Sequence, residues 1–233
     1  MTNSEFITEL KKIGIELDDD KLNKLEQYYQ MLVEANSKFN LTAITDKKDV
    51  YLKHFYDSIL ASLVFDSDNF SLCDMGTGAG FPGIVLKIVF PKIKLTLVDA
   101  TKKKTEFLKE VVSALELDDV SIYNDRIENF AYLHEKEFDI VIARAVARLN
   151  ILLELSSRMI KINGYFVAMK GSLEEEIDEA SNALKVLHME IVEKEDFVLP
   201  VENSKRKIIK IIKNDDTPSM YPRNFAKISK FPL

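Results

Sequence analysis

The stretch DMGTGAGFPG, residues 74–83, holds four of the chain's seven glycines. Glycine costs backbone entropy on folding, so a chain that uses it sparingly should cluster it where positive φ or a close approach is needed. The apolar run FSLCDM leads into this stretch, and Pro82 suits the first turn of a following helix. The pattern predicts a turn between a buried strand, ending at Asp74, and a helix, with bare backbone left for a ligand.

Acidic residues accompany this turn. Asp74 stands two residues before the first glycine, and Asp99 ends the next apolar run, LTLVDA. The G-x-G-x-x-G spacing of a dinucleotide site is also present, but alone it is a weak signal. An acid beside the turn suits a cationic group better than a pyrophosphate, and Asp99 can accept hydrogen bonds from both ribose hydroxyls of an adenosine. The combination favours S-adenosylmethionine over NAD, the alternative being that Asp74 caps the turn and Asp99 merely ends a strand.

The surrounding elements are predicted from apolar spacing. Residues 3–13, 20–37 and 48–65 have the periodicity of helices, whereas from residue 70 short apolar runs alternate with helical stretches. Such alternation predicts a mainly parallel sheet covered by helices on both faces. The runs MEIVEKEDFVLP and RKIIKIIK predict a closing antiparallel hairpin.

These elements predict an α/β chain with a Rossmann-like fold, and the S-adenosylmethionine signal of the glycine turn makes it one of the methyltransferase type. The expected sheet has seven strands, mainly parallel, with an antiparallel C-terminal hairpin and an N-terminal helical cap. We assign residues 1–66 to the cap, 67–214 to the methyltransferase core and 215–233 to a basic C-terminal tail.

Composition limits the function classes. The chain has 233 residues, is 46% hydrophobic and 30% charged, and has a net charge of −6. Residues 201–233 nevertheless carry eight basic and three acidic side chains, with Tyr221 and Phe225 among them. This segment is suited to meeting phosphates, the alternative being a solvated edge strand and tail.

Membrane and metal sites are not indicated. No stretch approaches the roughly 18 apolar residues of a membrane span, and there is no apolar leader at the amino terminus. Cys73 is the one cysteine, and three histidines are scattered along the chain. We therefore expect a cytoplasmic protein that needs no metal or membrane. Because no exposed apolar stripe indicates a dimer, we also expect a monomer.

The motifs together resemble one family. DMGTGAGFPG followed by LTLVDATKKKTEFL is similar to the small-subunit ribosomal RNA methyltransferase G family, also called glucose-inhibited division protein B. FNLTAIT, the H-x-x-D-S segment at His54, DRIENF, IARAVARLN, MKG and YPR resemble that family in order and spacing, over nearly the whole chain. The resemblance implies methyl transfer from S-adenosylmethionine to N7 of one guanine in the decoding-region loop of 16S rRNA. The tail departs from it, since RNFAKISKFPL stands where many members have a run such as RKPGTPNKKPL.

The resemblance also implies site residues. The family's cofactor contacts fall on Gly76, Phe81, Asp99, Ala100, Thr101, Ile127, Glu128 and Arg144. To these we add Asp74, with Gly78 and Gly80, which would admit the methionine portion close to the backbone. Ile127 would cover the adenine face, and Arg144 would hold a carboxylate or phosphate at the rim of the cleft. Glu128 has the alternative of being a favourable acid at a helix start.

The expected chemistry requires little acid-base catalysis. The Asn/Asp-Pro-Pro-aromatic motif of exocyclic-amine methyltransferases is absent, because the corresponding place reads ARAVARL. Cys73 lies within a strand, where a buried apolar role is expected rather than that of a nucleophile. Guanine N7 has a free lone pair, so positioning is the main task. Arg144 is the single catalytic candidate, as an orienting group.

RNA contacts are predicted from basic residues around the cleft. The candidates are Lys102, Lys103, Arg148, Lys170 and Arg223. Lys102 and Lys103, like the neighbouring Lys104, lie at the start of a predicted helix. The helix dipole disfavours cations at that end, so their presence there favours a functional role. His54 and Asp57 lie on one helical face, either as a structural pair between cap and core or with a substrate role. The partner would be 16S rRNA or the small ribosomal subunit.

Two other function classes stay open at this point. The first is a methyltransferase of the same fold that acts on a small molecule. The second is a ribosome-assembly protein that binds the cofactor without a required methyl transfer.

Overall fold

A computed structural model describes residues 1–144, 146–171 and 174–233. Within these residues the strands are β1 (Ser71–Met75), β2 (Lys94–Val98), β3 (Val120–Tyr123), β4 (Phe138–Arg144), β5 (Ile160–Lys170), β6 (Met189–Val198) and β7 (Lys205–Lys213). They form one seven-stranded sheet in the order β3-β2-β1-β4-β5-β7-β6. The first five strands pair in parallel, whereas β7 pairs antiparallel with both β5 and β6.

Helices cover both faces of this sheet. They are α1 (Asn3–Lys12), α2 (Asp19–Lys38), α3 (Lys47–Val50), α4 (Asp57–Leu60), α5 (Gly83–Val89), α6 (Lys102–Ala114), α7 (Ile127–Leu133), α8 (Leu149–Ser157), α9 (Glu174–Glu179), α10 (Ser181–Val186) and α11 (Phe225–Lys230). Among the described residues no helix is both long enough and apolar enough to cross a bilayer.

The cap helices begin at recognisable N-caps. Thr2 and Glu5 form a reciprocal capping box at the start of α1, and the Asp18 carboxylate accepts from the Lys21 amide at the start of α2. Between α3 and α4 the helix widens into a π-helical turn, Tyr51–Tyr56. This turn carries Lys53 and His54, which face the sheet at the site described below, and such wide turns are frequent at functional sites.

Alternating strand residues divide the core into two layers. Leu72 of β1 belongs to a cluster that joins the sheet to α1, α2, α5 and α6, whereas Cys73 belongs to a cluster with α7, α8, α10 and α11. In the first cluster the Tyr28 ring of α2 lies 5.7 Å from Phe55 and 5.4 Å from Phe81. The cap is therefore packed onto the glycine turn by aromatic contacts.

The last residues of the chain pack against α8. Tyr221 and Ile228 are buried in the second cluster. The Arg223 side chain donates from Nε to Oε1 of Glu154 at 2.8 Å, and Glu154 is fully buried. A buried carboxylate is stable only when paired, so this contact fixes the segment onto the core.

The predicted architecture is confirmed, including the parallel sheet, the C-terminal hairpin and the helices before residue 66. Element ends differ slightly, since β1 ends at Met75 rather than Asp74. Ala145 of the IARAVARLN motif, Ser172 and Leu173 lie outside the described residues. The division into cap, core and tail stays a prediction.

Candidate active site

The glycine turn after β1 is held by its backbone amides. Gly78 has φ +62°, a conformation that side chains disfavour, and its N–H donates to Oδ2 of Asp99 at 3.0 Å. Among the described residues beyond its two chain neighbours, the nearest atom to the place where a Cβ would stand is the Gly76 carbonyl oxygen, 4.0 Å away. Gly78 is therefore required by backbone conformation and leaves open space above the turn.

Gly80 was expected to admit the methionine portion of the cofactor, but its surroundings are side chains of the cap and the core. A Cβ added there would lie 2.6 Å from the Tyr28 hydroxyl oxygen and 2.8 Å from Ile84 Cγ1. The Tyr28 hydroxyl itself donates to the Ala79 carbonyl oxygen. The bare backbone at Gly80 thus makes room for the cap helix α2, and admitting a methionine portion is not its evident role.

Asp99 is fixed at the end of β2. Its Oδ1 accepts from the Thr101 amide at 2.8 Å while Oδ2 accepts from Gly78, and its own carbonyl accepts from the Asn124 side chain. The residue is 7% exposed, yet it lines the cleft beside the turn. Each carboxylate oxygen keeps a further lone pair, so Asp99 can accept from a diol in the cleft.

Asp74 lies under the same turn and is buried. Its Oδ2 accepts from the Thr77 hydroxyl at 2.7 Å and from the Gly83 amide at 2.8 Å. Its Oδ1 has no hydrogen-bond partner among the described residues. Burial raises the pKa of the Asp74 carboxyl to about 6, although those two bonds act to lower it.

A cleft of about 370 Å³ opens beside these groups, at the carboxyl ends of the parallel strands. We call it the cofactor cleft. Its lining consists of Gly76, Asp99, Ala100, Lys104, Arg126, Ile127, Glu128, Arg144, Val146, Leu155 and Phe225. A Cβ on Gly76 would lie 3.0 Å from Val146 Cγ2, so the bare backbone of this glycine makes room for the Val146 side chain at the edge of the cleft.

The C-terminal segment contributes to this cleft. Phe225, the first residue of α11, lines it on the side of Ile127, and the Arg126 guanidinium lies 5.7 Å from the Phe225 ring centroid. Arg126 also donates to the Glu128 carboxylate at 3.0 Å. An apolar ring and an isoleucine on one cleft provide the faces on which a purine can pack.

Arg144, the last residue of β4, connects the core to the cap. Its Nη1 donates to the Lys53 carbonyl at 3.0 Å and to Asp57 Oδ2 at 3.1 Å, and its Nη2 lies 3.2 Å from Nδ1 of His54. Its guanidinium also lies 5.2 Å from the Phe81 ring centroid. Four contacts thus hold one planar cation at the rim of the cofactor cleft.

His54 is neutral in this arrangement. Burial and, to a smaller extent, the nearby Arg144 cation together lower its pKa to about 3. Since a guanidinium only donates, Nδ1 must accept, and Nε2 then donates to the Thr42 hydroxyl at 2.9 Å. The ring stacks on Phe81 at 4.4 Å between centroids.

A second cavity, of about 360 Å³, lies on the other side of Arg144. We call it the cap-core cavity, because Ile44, the π-helical turn and α4 face β5 and β7 across it. Its lining consists of Ile44, Lys53, His54, Asp57, Arg144, Met169, Lys170, Gly171, Arg206, Lys207 and Ile208. Arg144 is common to the linings of both cavities.

The predicted cofactor residues divide into two groups. Five of the residues carried over from the family, together with the rim candidate Arg144, line the cofactor cleft: Gly76, Asp99, Ala100, Ile127 and Glu128. Phe81 instead stacks between cap and core, and Thr101 is exposed at the start of α6. The cofactor roles of all these residues stay predictions.

The predicted RNA contacts are more varied. Lys102 and Lys103 are exposed beside the cleft, the former 3.7 Å from Glu106. Three others are in ion pairs: Arg148 with Glu179, Lys170 with Glu176, and Arg223 with Glu154. The Arg223 side chain is 13% exposed and binds a buried carboxylate, so its geometry favours a structural role.

Sequence reasoning missed several residues of both cavities. Phe225 and Arg206 belong to the C-terminal segment, for which the sequence left open phosphate contacts or a solvated edge strand and tail. Arg126 belongs to the DRIENF motif, and none of the three was linked to a cleft. The signal for Phe225 is its position as an aromatic residue among cations. Nothing in the local sequence ties Asp57 to Arg206, although the Arg206 Nε donates to Asp57 Oδ1 at 3.0 Å.

The cofactor cleft fits S-adenosylmethionine chemically. Asp99 is suited to the ribose hydroxyls, and Ile127 and Phe225 are suited to the adenine. Asp74 is 1% exposed and is not among the lining residues, so a contact between its unpartnered Oδ1 and a cationic donor stays a prediction. Across the described residues, no cluster of three or more histidine, cysteine or acidic side chains has a metal-binding arrangement.

Solved structures share the fold at low identity. A SAM dependent methyltransferase from Aquifex aeolicus is 20% identical and has a TM-score of 0.54, with 72% of this chain and 94% of that chain covered. M. jannaschii TYW2, solved in complex with AdoMet, is 14% identical with a TM-score of 0.55, covering 67% and 74%. These similarities support the methyltransferase fold.

Sequence relatives are much closer and extend over the full length. The proteins named Ribosomal RNA small subunit methyltransferase G from Geobacillus sp. and Bacillus pumilus are 46% and 47% identical, over 100% of this chain and 100% and 99% of theirs. The family model for rRNA small subunit methyltransferase G matches residues 21–209. The chain therefore belongs to the rRNA small subunit methyltransferase G family.

Proposed function

We propose that this protein transfers a methyl group from S-adenosylmethionine to N7 of one guanine in the decoding-region loop of 16S rRNA. Family membership supports ribosomal RNA as the substrate. The choice of N7 rests on the resemblance of the glycine turn and the IARAVARLN motif to this family, and the two cavities around Arg144 are compatible with it. Among the described residues neither lining contains a cysteine, the nucleophile that methylation at carbon 5 of a pyrimidine needs.

The cofactor cleft supports adenosine binding at one end and methionine binding at the other. Asp99 would accept from the ribose hydroxyls, Ile127 and Phe225 would enclose the adenine, and Glu128 is close enough to line its edge. Gly78 leaves the turn open, and Asp74 would accept from the ammonium group. When bound, the cofactor supplies an electrophilic methyl group on a sulfonium.

The chemistry at N7 needs no general base. The N7 lone pair forms the new bond to the methyl carbon, the electrons of the broken carbon–sulfur bond remain on sulfur, and no proton leaves the guanine. The protein's task is then to align the two partners. Arg144, held by the cap and shared by both cavities, is suited to this as an orienting group.

The RNA would approach from the side where both cavities open. Lys102 and Lys103 lie exposed at the start of α6, next to the cleft residue Lys104. Local cations of this kind attract phosphates even on a chain of net charge −6. We therefore expect binding to the small ribosomal subunit that weakens as salt rises, and a cytoplasmic protein.

Borohydride and aniline treatment of 16S rRNA tests this proposal, because it cleaves RNA where guanine N7 is methylated. We expect one cleavage to vanish in cells that lack the protein and to return with the wild-type gene. An Asp99→Ala variant should not restore it, since the ribose would lose its acceptor.

The control is Asp118→Ala, which removes an exposed carboxylate from the α6–β3 loop outside both cavities. It should restore cleavage fully. An unchanged cleavage pattern in the deletion strain would refute the guanine N7 assignment and favour a small-molecule substrate. Restoration by Asp99→Ala would instead favour a binding protein that needs no methyl transfer.

A further inference from the structure

The cap-core cavity has the size of a binding site and lies against the cofactor cleft. Its volume of about 360 Å³ is within the usual range of ligand pockets, roughly 300–1,000 Å³. Arg144 separates the two cavities and lines both. A group placed in the cap-core cavity therefore stands next to whatever occupies the cofactor cleft.

The charges in this cavity argue against a phosphate as its occupant. Its five cations each have a carboxylate within 3.2 Å: Lys53 with Glu202, Arg144 and Arg206 with Asp57, Lys170 with Glu176, and Lys207 with Asp196. Binding a phosphate would require these pairs to separate. A neutral heterocycle does not carry that cost.

Apolar side chains form the rest of the wall. Met169 and Ile208 stand opposite each other in the antiparallel β5–β7 pair, and Ile44 faces them from the cap. Together they offer surfaces on which the two faces of a flat ring can pack. An enzyme that modifies a base must take it out of its stack into such a pocket.

Asp57 is the acceptor in this pocket. It is 5% exposed, with Oδ1 bound to Arg206 and Oδ2 to Arg144. Each oxygen retains lone-pair capacity, and both arginines hold the carboxylate in a fixed orientation. Of the natural bases, guanine presents two adjacent donors, N1–H and the N2 amino group, which match a carboxylate.

The order of groups also matches guanine. Around the edge of that base N2, N1–H, O6 and N7 follow one another, with O6 and N7 as acceptors. In the protein, Arg144 lies between Asp57 and the cofactor cleft, because it donates to the Asp57 carboxylate and lines both cavities. With N1–H and N2 on Asp57 and O6 towards Arg144, N7 faces the cofactor.

We propose that the cap-core cavity receives the target guanine and that Asp57 reads its N1–H and N2 amino groups. This inference rests on the proposed function. It makes Asp57 a specificity-determining residue, whereas a purely structural role would confine it to joining α4 to β7.

Inosine tests the contact because it lacks the N2 amino group and keeps N7. Small subunits are reconstituted with 16S rRNA ligated from two pieces, carrying guanosine or inosine at the position located by aniline cleavage. We expect wild-type kcat/KM for methyl transfer to be about tenfold lower with inosine, since one charge-assisted hydrogen bond is lost. Equal rates with the two nucleotides would overturn the inference.

Asp57→Asn completes the comparison. Its transfer should be slow with guanosine, and the tenfold difference between the nucleotides should disappear. A variant that still discriminates tenfold would contradict the role of Asp57. S-adenosylmethionine affinity and the circular dichroism spectrum establish that the variant folds, and if it does not, the wild-type comparison alone decides.

Asp66→Asn is the matched control. Asp66 is also a cap carboxylate paired with a β7 cation, Lys210 at 2.7 Å, but it lies outside the cavity and is 76% exposed. It should keep the tenfold discrimination. Failure of the proposed function gives a different result, because wild-type protein would then produce no aniline cleavage with guanosine.

Discussion

The cofactor cleft and the cap-core cavity share Arg144 but are assembled from the chain in different ways. Most of the cleft comes from successive strand ends: Gly76 after β1, Asp99 after β2, Ile127 after β3 and Arg144 on β4. The cap-core cavity joins the cap near residue 57 to strands that end at residues 170 and 213. Parallel strands bring their carboxyl ends together by rule, whereas the second cavity depends on how the cap docks.

Arg144→Lys tests the wall between the two regions and should have the largest effect. A lysine cannot contact Lys53, Asp57 and His54 at once, because it lacks the planar fork of the guanidinium. We expect kcat/KM for methylation of small subunits to fall about 100-fold, as misplacement of about 1 Å can cost that much. Single-turnover kinetics with purified subunits measures it.

The matched control for that change is Arg158→Lys. Arg158 is buried to a similar degree, with 15% of its side chain exposed against 14% for Arg144, and it pairs with Glu135 away from both cavities. It should retain activity within about twofold. Equal losses in the two variants would mean that general destabilisation, and no shared wall, explains the result.

Phe225→Ala tests the cofactor cleft alone and should have an intermediate effect. Loss of the ring from the cleft removes a packing surface for adenine, so the Kd for S-adenosylmethionine should rise about tenfold, or 1.4 kcal/mol. Isothermal titration calorimetry measures this change. Binding of the protein to small subunits without cofactor should be unaltered.

Phe231→Ala removes a ring from the same segment that is 60% exposed and does not line the cleft. Its cofactor affinity should equal that of the wild type. An unchanged Kd in Phe225→Ala would return residues 215–233 to a role in RNA binding or stability.

Lowering the pH tests His54 at the cap-core cavity and should have the smallest effect. Because the folded pKa of His54 is about 3 against an ordinary 6.5, the unfolded chain alone gains this proton as the pH falls through that window. The free energy of unfolding should therefore fall about 1 kcal/mol more in the wild type than in His54→Gln between pH 6.5 and 5.5. Urea unfolding at several pH values gives these energies.

Asp74 on the cleft side should respond in the opposite sense. Its folded pKa of about 6 lies above the ordinary 3.8, so its contribution to stability is full below pH 3.8 and is lost as the pH rises through 6.

His134→Gln, at the end of α7 beside Glu137, is the control for the His54→Gln change. The same acid sensitivity in His54→Gln and wild type would contradict a neutral, buried His54.

The contrast between the two regions explains what the sequence could predict. Strand periodicity and the glycine turn predicted the sheet and the placement of Asp99, because these depend on neighbours in the chain. Arg144 was predicted as a rim residue, since a strand end in a parallel sheet must lie there. Its contacts with the cap were not predicted.

Long-range packing accounts for the remainder. The fit of Tyr28 against Gly80 depends on the docking of α2, and the buried Arg223–Glu154 pair depends on the return of the chain to α8. Neither has a local sequence signal. The glycine motif identified Gly80 as a candidate cofactor residue, and its positive charge identified Arg223 as a candidate RNA contact. Their contacts with residues distant in the chain indicate structural roles instead.

The sheet order gives the protein a particular relation to its own synthesis. Because β7 lies between β5 and β6, the sheet cannot be completed before residue 213 has left the ribosome. Phe225, which lines the cofactor cleft, follows β7 in the chain. A nascent chain that has not passed residue 205 has the glycine turn and Asp99 but lacks Arg206, Lys207 and Ile208 in the cap-core cavity and Phe225 in the cofactor cleft. Both cavities are therefore completed only after the five parallel strands have been synthesised.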